Sequence, residues 1–380
     1  MSEGLSNFGN MMNSEEIFLM LLRAGLWGKA EPCEDQEIDW KEVRRTARKL
    51  SVVGLVADGI SAQKKVQPSF RTVPEDQKLF IQDIFSIEMS NAKIESLMAR
   101  AVSILEERGL VPVILKGQGI ARNYPVPEHR TSGDIDILLN GDDYRKAAEV
   151  LSPLADRLDT EYPRIRHFGM YFGKLEIELH GTVHSYMGRS FNRKLDALQD
   201  DLFKDKDFQF FECHGTDIRI PSTAFNAIFI FTHIIQHLYD SGLTLKQICD
   251  WAMLLHTKRT AIDRDLLQKR LKDFGIFKEW QVLGCILVDK LGLPADEMPF
   301  HDPACSKKAG QLWKAILTSG NSSNHSGHAK ENESAVAKKT RKTRRRLSWI
   351  ANNISISPYN TARAFFGMAV NGISNALHGR

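Results

Sequence analysis

Arg130-Thr131-Ser132-Gly133-Asp134-Ile135-Asp136-Ile137-Leu138-Leu139 constrains this chain more than any other stretch. From Asp134 onward, acids and aliphatics alternate with the period of a β-strand. Asp134 and Asp136 therefore project from one face, while Ile135, Ile137 and Leu139 project into a core from the other. Two acids about 6–7 Å apart along a strand repel each other unless a cation neutralises them. Carboxylate oxygens suit Mg²⁺, which keeps several waters and takes further ligands from substrate phosphates. Standing alone, an Asp-x-Asp pair reads better as a polar strand edge beside a turn.

Two neighbouring segments change that reading. Val111–Leu115 is a short buried strand by its β-branched content, and Lys116-Gly117-Gln118-Gly119 is the turn that follows it. Glycines at such a turn let backbone N–H groups approach a phosphate. Lys116 adds a mobile point charge suited to a triphosphate. The segment does not fit G-x-x-x-x-G-K-[ST], and G-x-G-x-x-G fails because position 122 is Arg. Downstream, Leu175-Glu176-Ile177-Glu178-Leu179-His180 places Glu176, Glu178 and His180 on one strand face, with the aliphatics opposite. A second strand delivering a carboxylate could complete a two-metal site and supply a base for a substrate hydroxyl. The competing reading is an exposed strand face of mixed charge.

Leu-Lys-Gly, then Arg-x-x-Gly-Asp-Ile-Asp-Ile-Leu, then a strand ending in acid-Leu-His, resembles the uncharacterised nucleotidyltransferase family NTP_transf_5 of the DNA polymerase beta-like superfamily. Thr232-His233-Ile234-Ile235-Gln236-His237 and the downstream Leu245-Lys246-Gln247-Ile248-Cys249-Asp250-Trp251 match its H-x-x-x-H and Asp pattern, and the resemblance spans roughly residues 80–295. It implies an α+β fold, a mixed β-sheet flanked by helices, with the paired acids on a central strand. By position Asp134 and Asp136 match the two metal acids and Glu178 the third, with Glu176 a rival two residues away. Superfamily members usually carry Gly-Ser or Gly-Gly where this chain has Gly117-Gln118. The implied reaction moves an NMP from an NTP to a hydroxyl or phosphate acceptor, with Mg²⁺ or Mn²⁺ as cofactor. Lys116, Gly117, Gln118, Arg130 and His180 would then bind the nucleotide, and Glu178 would help to deprotonate the acceptor.

Arg130 suits bidentate oxyanion binding, and its alternative is a pairing with Asp134 that holds the loop. His233 and His237 lie one helical turn apart but lack the Glu of H-E-x-x-H. They read as packed structural histidines, pocket residues or metal ligands. Asp250 is a candidate to fix the tautomer of one of them. His180 stands beside Glu178, and His167 and Arg166 are looser candidates.

The apolar periodicity predicts helices over residues 13–108, with a long one from Pro74 to Arg108 whose Leu79, Ile81, Ile84, Phe85, Ile87 and Met89 feed one broad face. A strand-rich core follows over 109–221. A helical region spans 222–318, in which Ala224–Tyr239, Leu245–Thr257 and Asp263–Leu291 are the helices. Residues 319–340 read as a linker or mobile loop, and 341–380 as a basic helical end. The net charge of +4 conceals an asymmetry: residues 301–380 hold 13 Lys and Arg against 3 Asp and Glu, a balance of +10, so the first 300 residues sum to −6. The run Lys338–Arg346 offers a surface for an anionic partner, nucleic acid or lipid, or is simply solvated.

The five scattered cysteines lack any C-x-x-C spacing, so neither a disulfide framework nor a thiolate zinc site is expected. No long apolar run and no basic-then-apolar start are present, which makes a cytoplasmic location the expectation. Two further functions fit the same residues: a non-catalytic binding or assembly protein on this fold, and a nucleic-acid-binding or -modifying protein acting through the basic run.

Overall fold

The structure is a computed structural model that describes residues 12–34, 36–161, 166–240, 242–319 and 356–377, with the side chains of 319 and 368–377 excepted. Apart from Ser319, which ends a helix, the linker expected at 319–340 and the basic run at 338–346 lie outside the described residues.

Four helices open the chain: α1 (Ser14–Trp27), α2 (Trp40–Lys49), α3 (Val53–Val66) and α4 (Pro74–Glu106). Helix α1 starts on a capping box, in which Asn13 accepts from the Glu15 and Glu16 amides and Glu16 reaches back to the Asn13 amide. Within the stretch 13–108 predicted to be helical, α2 and α3 are separated at Leu50–Val52, where Ser51 takes a left-handed φ of 61°. Helix α4 begins on Pro74 and stops before Gly109, whose φ of 72° ends it as expected. The broad apolar face read along α4 divides. Leu79, Ile84 and Ile87 are partly covered, but Ile81, Phe85 and Met89, spaced four apart, lie on the outer side at 59%, 63% and 45% exposure. A 3.6-residue period cannot turn both sets toward one core.

The central sheet comprises β1 (Val113–Leu115), β2 (Asp134–Leu138), β3 (Arg157–Leu158), β4 (His167–Phe172) and β5 (Leu175–His180), in the order β1-β2-β5-β4-β3. Only β2 and β5 run parallel; the other neighbours are antiparallel. Short helices α5 (Gly117–Ala121) and α6 (Asp143–Leu151) lie between these strands in sequence. Helix α7 (Arg189–Lys204) follows, then a separate hairpin of β6 (Phe208–Cys213) and β7 (Thr216–Pro221).

Helices then resume: α8 (Thr223–Asp240), α9 (Leu245–Lys258), α10 (Arg264–Phe274), α11 (Phe277–Asp289), α12 (Ser306–Ser319) and α13 (Pro358–Leu377). The stretch Asp263–Leu291 is two helices rather than one, because Gly275 caps α10 at φ 72°.

The sheet separates two cores. Ile114, Ile135, Ile137, Leu139, Met170, Ile177 and Leu179 face α4 and α6, meeting Met98, Val102, Leu105 and Leu151. Val113, Leu115 and Leu138 face the other way, into the larger core built on the remaining helices. The acidic positions of β2 and β5 share this second face, so they lie between the sheet and the helical half. Among the described residues no helix is long and apolar enough to cross a membrane, and none of the five cysteines forms a disulfide.

Candidate active site

The parallel register pairs Asp134 with Glu176, Asp136 with Glu178 and Leu138 with His180. Residues at paired positions share a face, so the two acidic strands bring their carboxylates together. Oxygens of Asp134, Asp136 and Glu178 lie within 4.8 Å of one another. Glu176 turns aside: it shares a hydrogen bond with Tyr171 and leans over Gly169. Of the two candidate glutamates, Glu178 is the one that converges on the aspartates.

Strand β1 delivers the neutralising cation. Its antiparallel register puts Leu115 opposite Asp136, so the next residue, Lys116, reaches the acid, with Nζ 2.9 Å from Asp136 Oδ1. Lys116 holds a left-handed φ of 50°, and Gly117 (φ 35°) and Gln118 start α5 directly after it. Burial opposes the ammonium charge, but Asp136, Asp134 and Glu178 together hold the Lys116 pKa above its ordinary value. His180 Nε2 lies 2.8 Å from the same Asp136 oxygen. Burial disfavours its imidazolium too, yet Asp136 and Glu178 raise its pKa to about 9.

Among the acids, Asp136 pushes Asp134 up, whereas Lys116 and His180 outweigh burial and hold Asp136 down. Burial likewise opposes ionisation of Glu178, but hydrogen bonds from His167 and His180 hold its carboxyl well below the usual range.

A buried polar chain braces the loop before β2. Arg130 Nε and Nη2 donate to the two oxygens of Asp250, each at 2.7 Å, and Tyr124 Oη donates to Asp250 Oδ1 at 2.7 Å. Arg130 Nη1 reaches Ser132 Oγ at 3.1 Å, and Ser132 donates to Gln118 Oε1 at 2.7 Å. Arg130 therefore pairs with Asp250 of α9 and not with Asp134. All three guanidinium nitrogens have partners, so a phosphate reaching Arg130 would compete with Asp250 or Ser132. Asp250 binds Arg130 and Tyr124 rather than orienting His233 or His237. Gln118, placed in the nucleotide-binding set from sequence, has its side chain buried in this chain.

Helices α8 and α9 close the site from the far side. His233 and His237 face each other, Nε2 to Nε2, at 3.2 Å. Burial first, then Lys116 and the neighbouring imidazoles, keeps His233 neutral; burial with Lys116 and Lys246 lowers His237 to about 4. Neither belongs to a group of three metal-capable side chains among the described residues.

Lys246 was not singled out in the sequence. It is partly buried, and burial, Arg130 and Lys116 lower its pKa against the pull of Asp250 and Asp134. Among the described residues no carboxylate lies within ion-pair distance of it. The signal was its position four residues before Asp250, which reads as an ordinary surface pair on a helix. Tyr124 was missed for lying in a loop. His167 does join the site, through Glu178, whereas Arg166 packs against the Tyr144 ring and the Gly141 carbonyl.

A mixed sheet flanked by helices, with acids on adjacent central strands and lysines beside them, is a nucleotidyltransferase-type fold. The chain belongs to the NTP_transf_5 family, described as uncharacterised nucleotidyltransferases, whose family model matches residues 36–288. No curated protein and no solved structure matches the chain.

Proposed function

We infer that the protein moves a nucleoside monophosphate from an NTP to a hydroxyl or phosphate acceptor and releases pyrophosphate. The observation that carries this reading is the convergence of Asp134, Asp136 and Glu178 within 4.8 Å beside Lys116 and Lys246. The donor set is all carboxylate oxygen, which fits Mg²⁺ or Mn²⁺, and these three residues would hold the ion. Bound there, the ion would neutralise charge developing on the α-phosphate and on the departing pyrophosphate.

The chain's own groups supply the rest. Lys116 holds phosphate oxygens once an ion takes over its place on Asp136. Lys246, partly buried and without an ion-pair partner among the described residues, would attract the β- and γ-phosphates from the α9 side. Arg130, Asp250 and Tyr124 fix the loop that leads into β2, so Asp134 and Asp136 arrive preorganised. An acceptor oxygen forms the new bond to the α-phosphorus as the α–β anhydride bond breaks. Glu178 would also help to take the proton that the acceptor hydroxyl gives up.

Equilibrium binding of each NTP, with and without Mg²⁺, tests this reading in wild type and Asp136→Ala. Wild type should bind at least one NTP in a Mg²⁺-dependent way, and Asp136→Ala should lower turnover by about 100-fold or more. Equal binding and turnover by the variant in Mg²⁺ would end the idea.

A further inference from the structure

Strands β4 and β5 pair so that His167 stands directly opposite His180. Their imidazoles stack almost parallel, 7° apart in plane, with ring centroids separated by 4.8 Å. Both point Nε2 at the same atom, Glu178 Oε2, from 3.1 Å for His167 and 3.6 Å for His180. Ligand atoms of His167, Glu178 and His180 all lie within 4.8 Å of one another. Donors about 2.1 Å from a common ion stand roughly 3.0–3.4 Å apart, so the nitrogen–oxygen separations are already close to those around a bound cation. The two imidazoles are only partly covered, at 25% and 16% side-chain exposure, and an ion can reach them.

We propose that His167, His180 and Glu178 form a second divalent-cation site, adjacent to the three carboxylates and suited to Mn²⁺, Co²⁺ or Zn²⁺. Two imidazoles and one carboxylate make a softer donor set than the all-oxygen cluster, and imidazole nitrogen selects such ions over Mg²⁺. Three protein ligands leave positions open, which an oxygen of the acceptor fills. Glu178 belongs to both groups. Its Oε2 faces the histidines, and as a member of both groups its carboxylate would bridge the two sites. His180 Nε2 exchanges its hydrogen bond to Asp136 for the ion. The bridging rests on the reading of Asp134, Asp136 and Glu178 as metal ligands; the histidine site does not.

The full chain, stripped with chelator and dialysed, is titrated with Co²⁺ and followed by visible absorption. Wild type is expected to develop ligand-field bands typical of nitrogen coordination, and His167→Ala to lose them and bind Co²⁺ at least about tenfold more weakly. Should the variant fail to fold, proton NMR of the wild-type Co²⁺ protein decides: two exchangeable, hyperfine-shifted imidazole N–H signals support the site. Absence of those signals, or a His167→Ala protein with unchanged bands and affinity, overturns it. Mg²⁺-dependent NTP binding by wild type is measured separately. Its failure would remove the nucleotidyl-transfer reading while leaving the Co²⁺ result to stand or fall alone.

Discussion

At the scale of single residues, the site is a balance of buried charge. Asp136 is 2% exposed and is kept ionised by Lys116 and His180. Beside it, Arg130 and Asp250 form a two-bonded pair with side chains 5% and 9% exposed. Replacing one member of such a pair leaves the other charged group buried without a partner, which costs far more than the pair itself contributes. Asp250→Ala should therefore destabilise the fold by about 3 kcal/mol or more, measured by urea unfolding. A change below about 1 kcal/mol would mean that water enters to solvate Arg130.

At the scale of elements, close contacts and clips position the sheet. Helices α1 and α3 cross through glycines: a Cβ on Gly25 would sit 1.9 Å from the Leu55 carbonyl oxygen, and one on Gly59 would sit 1.8 Å from that of Leu21. Backbone cannot step aside as a side chain can, so Gly59→Ala should cost about 2 kcal/mol or more, read from its melting temperature. His129, in the turn before β2, places Nδ1 2.6 Å from Asp58 of α3 and Nε2 3.1 Å from Glu88 of α4. The hydrogen bond to Asp58 chiefly, opposed by burial and aided by Glu88, raises the His129 pKa above 6.5.

A raised folded-state pKa means that the clip contributes fully below the unfolded value and fades as pH rises through the folded one. The stability gap between wild type and His129→Gln should be about 0.5–1 kcal/mol at pH 5.5 and should shrink above pH 7.5; a gap that grows with pH would contradict this. Strands β2 and β5 were legible because their alternation is strict, and with them the face that carries Asp134, Asp136, Glu178 and His180. Strand β3, two residues long, carries no period. Helix α7 did carry one, in Phe191, Leu195, Leu198 and Leu202, all buried, and its polar surroundings hid it. The partners of Arg130 and the site contribution of Lys246 depend on how α9 packs against the loop before β2. No local pattern encodes that contact.

For the whole molecule, one sheet with two differently used faces explains where the chemistry lies. The aliphatic face is sealed by α4 and α6, so it can only be core. The other face meets the helical half, where α8 and α9 add His233, His237 and Lys246 above the acids. On the proposed reading, a polyphosphate bound there would meet Lys116 from the sheet and Lys246 from the helices. On the same nucleotidyl-transfer reading, attack falls on the α-phosphate. Incubation with NTPs labelled at either the α- or the γ-phosphate, with Mg²⁺ and a cell extract, tests that most directly. The account predicts α-label on the acceptor and γ-label in pyrophosphate. Transfer of the γ-label to the acceptor, or its release as inorganic phosphate alone, would contradict it.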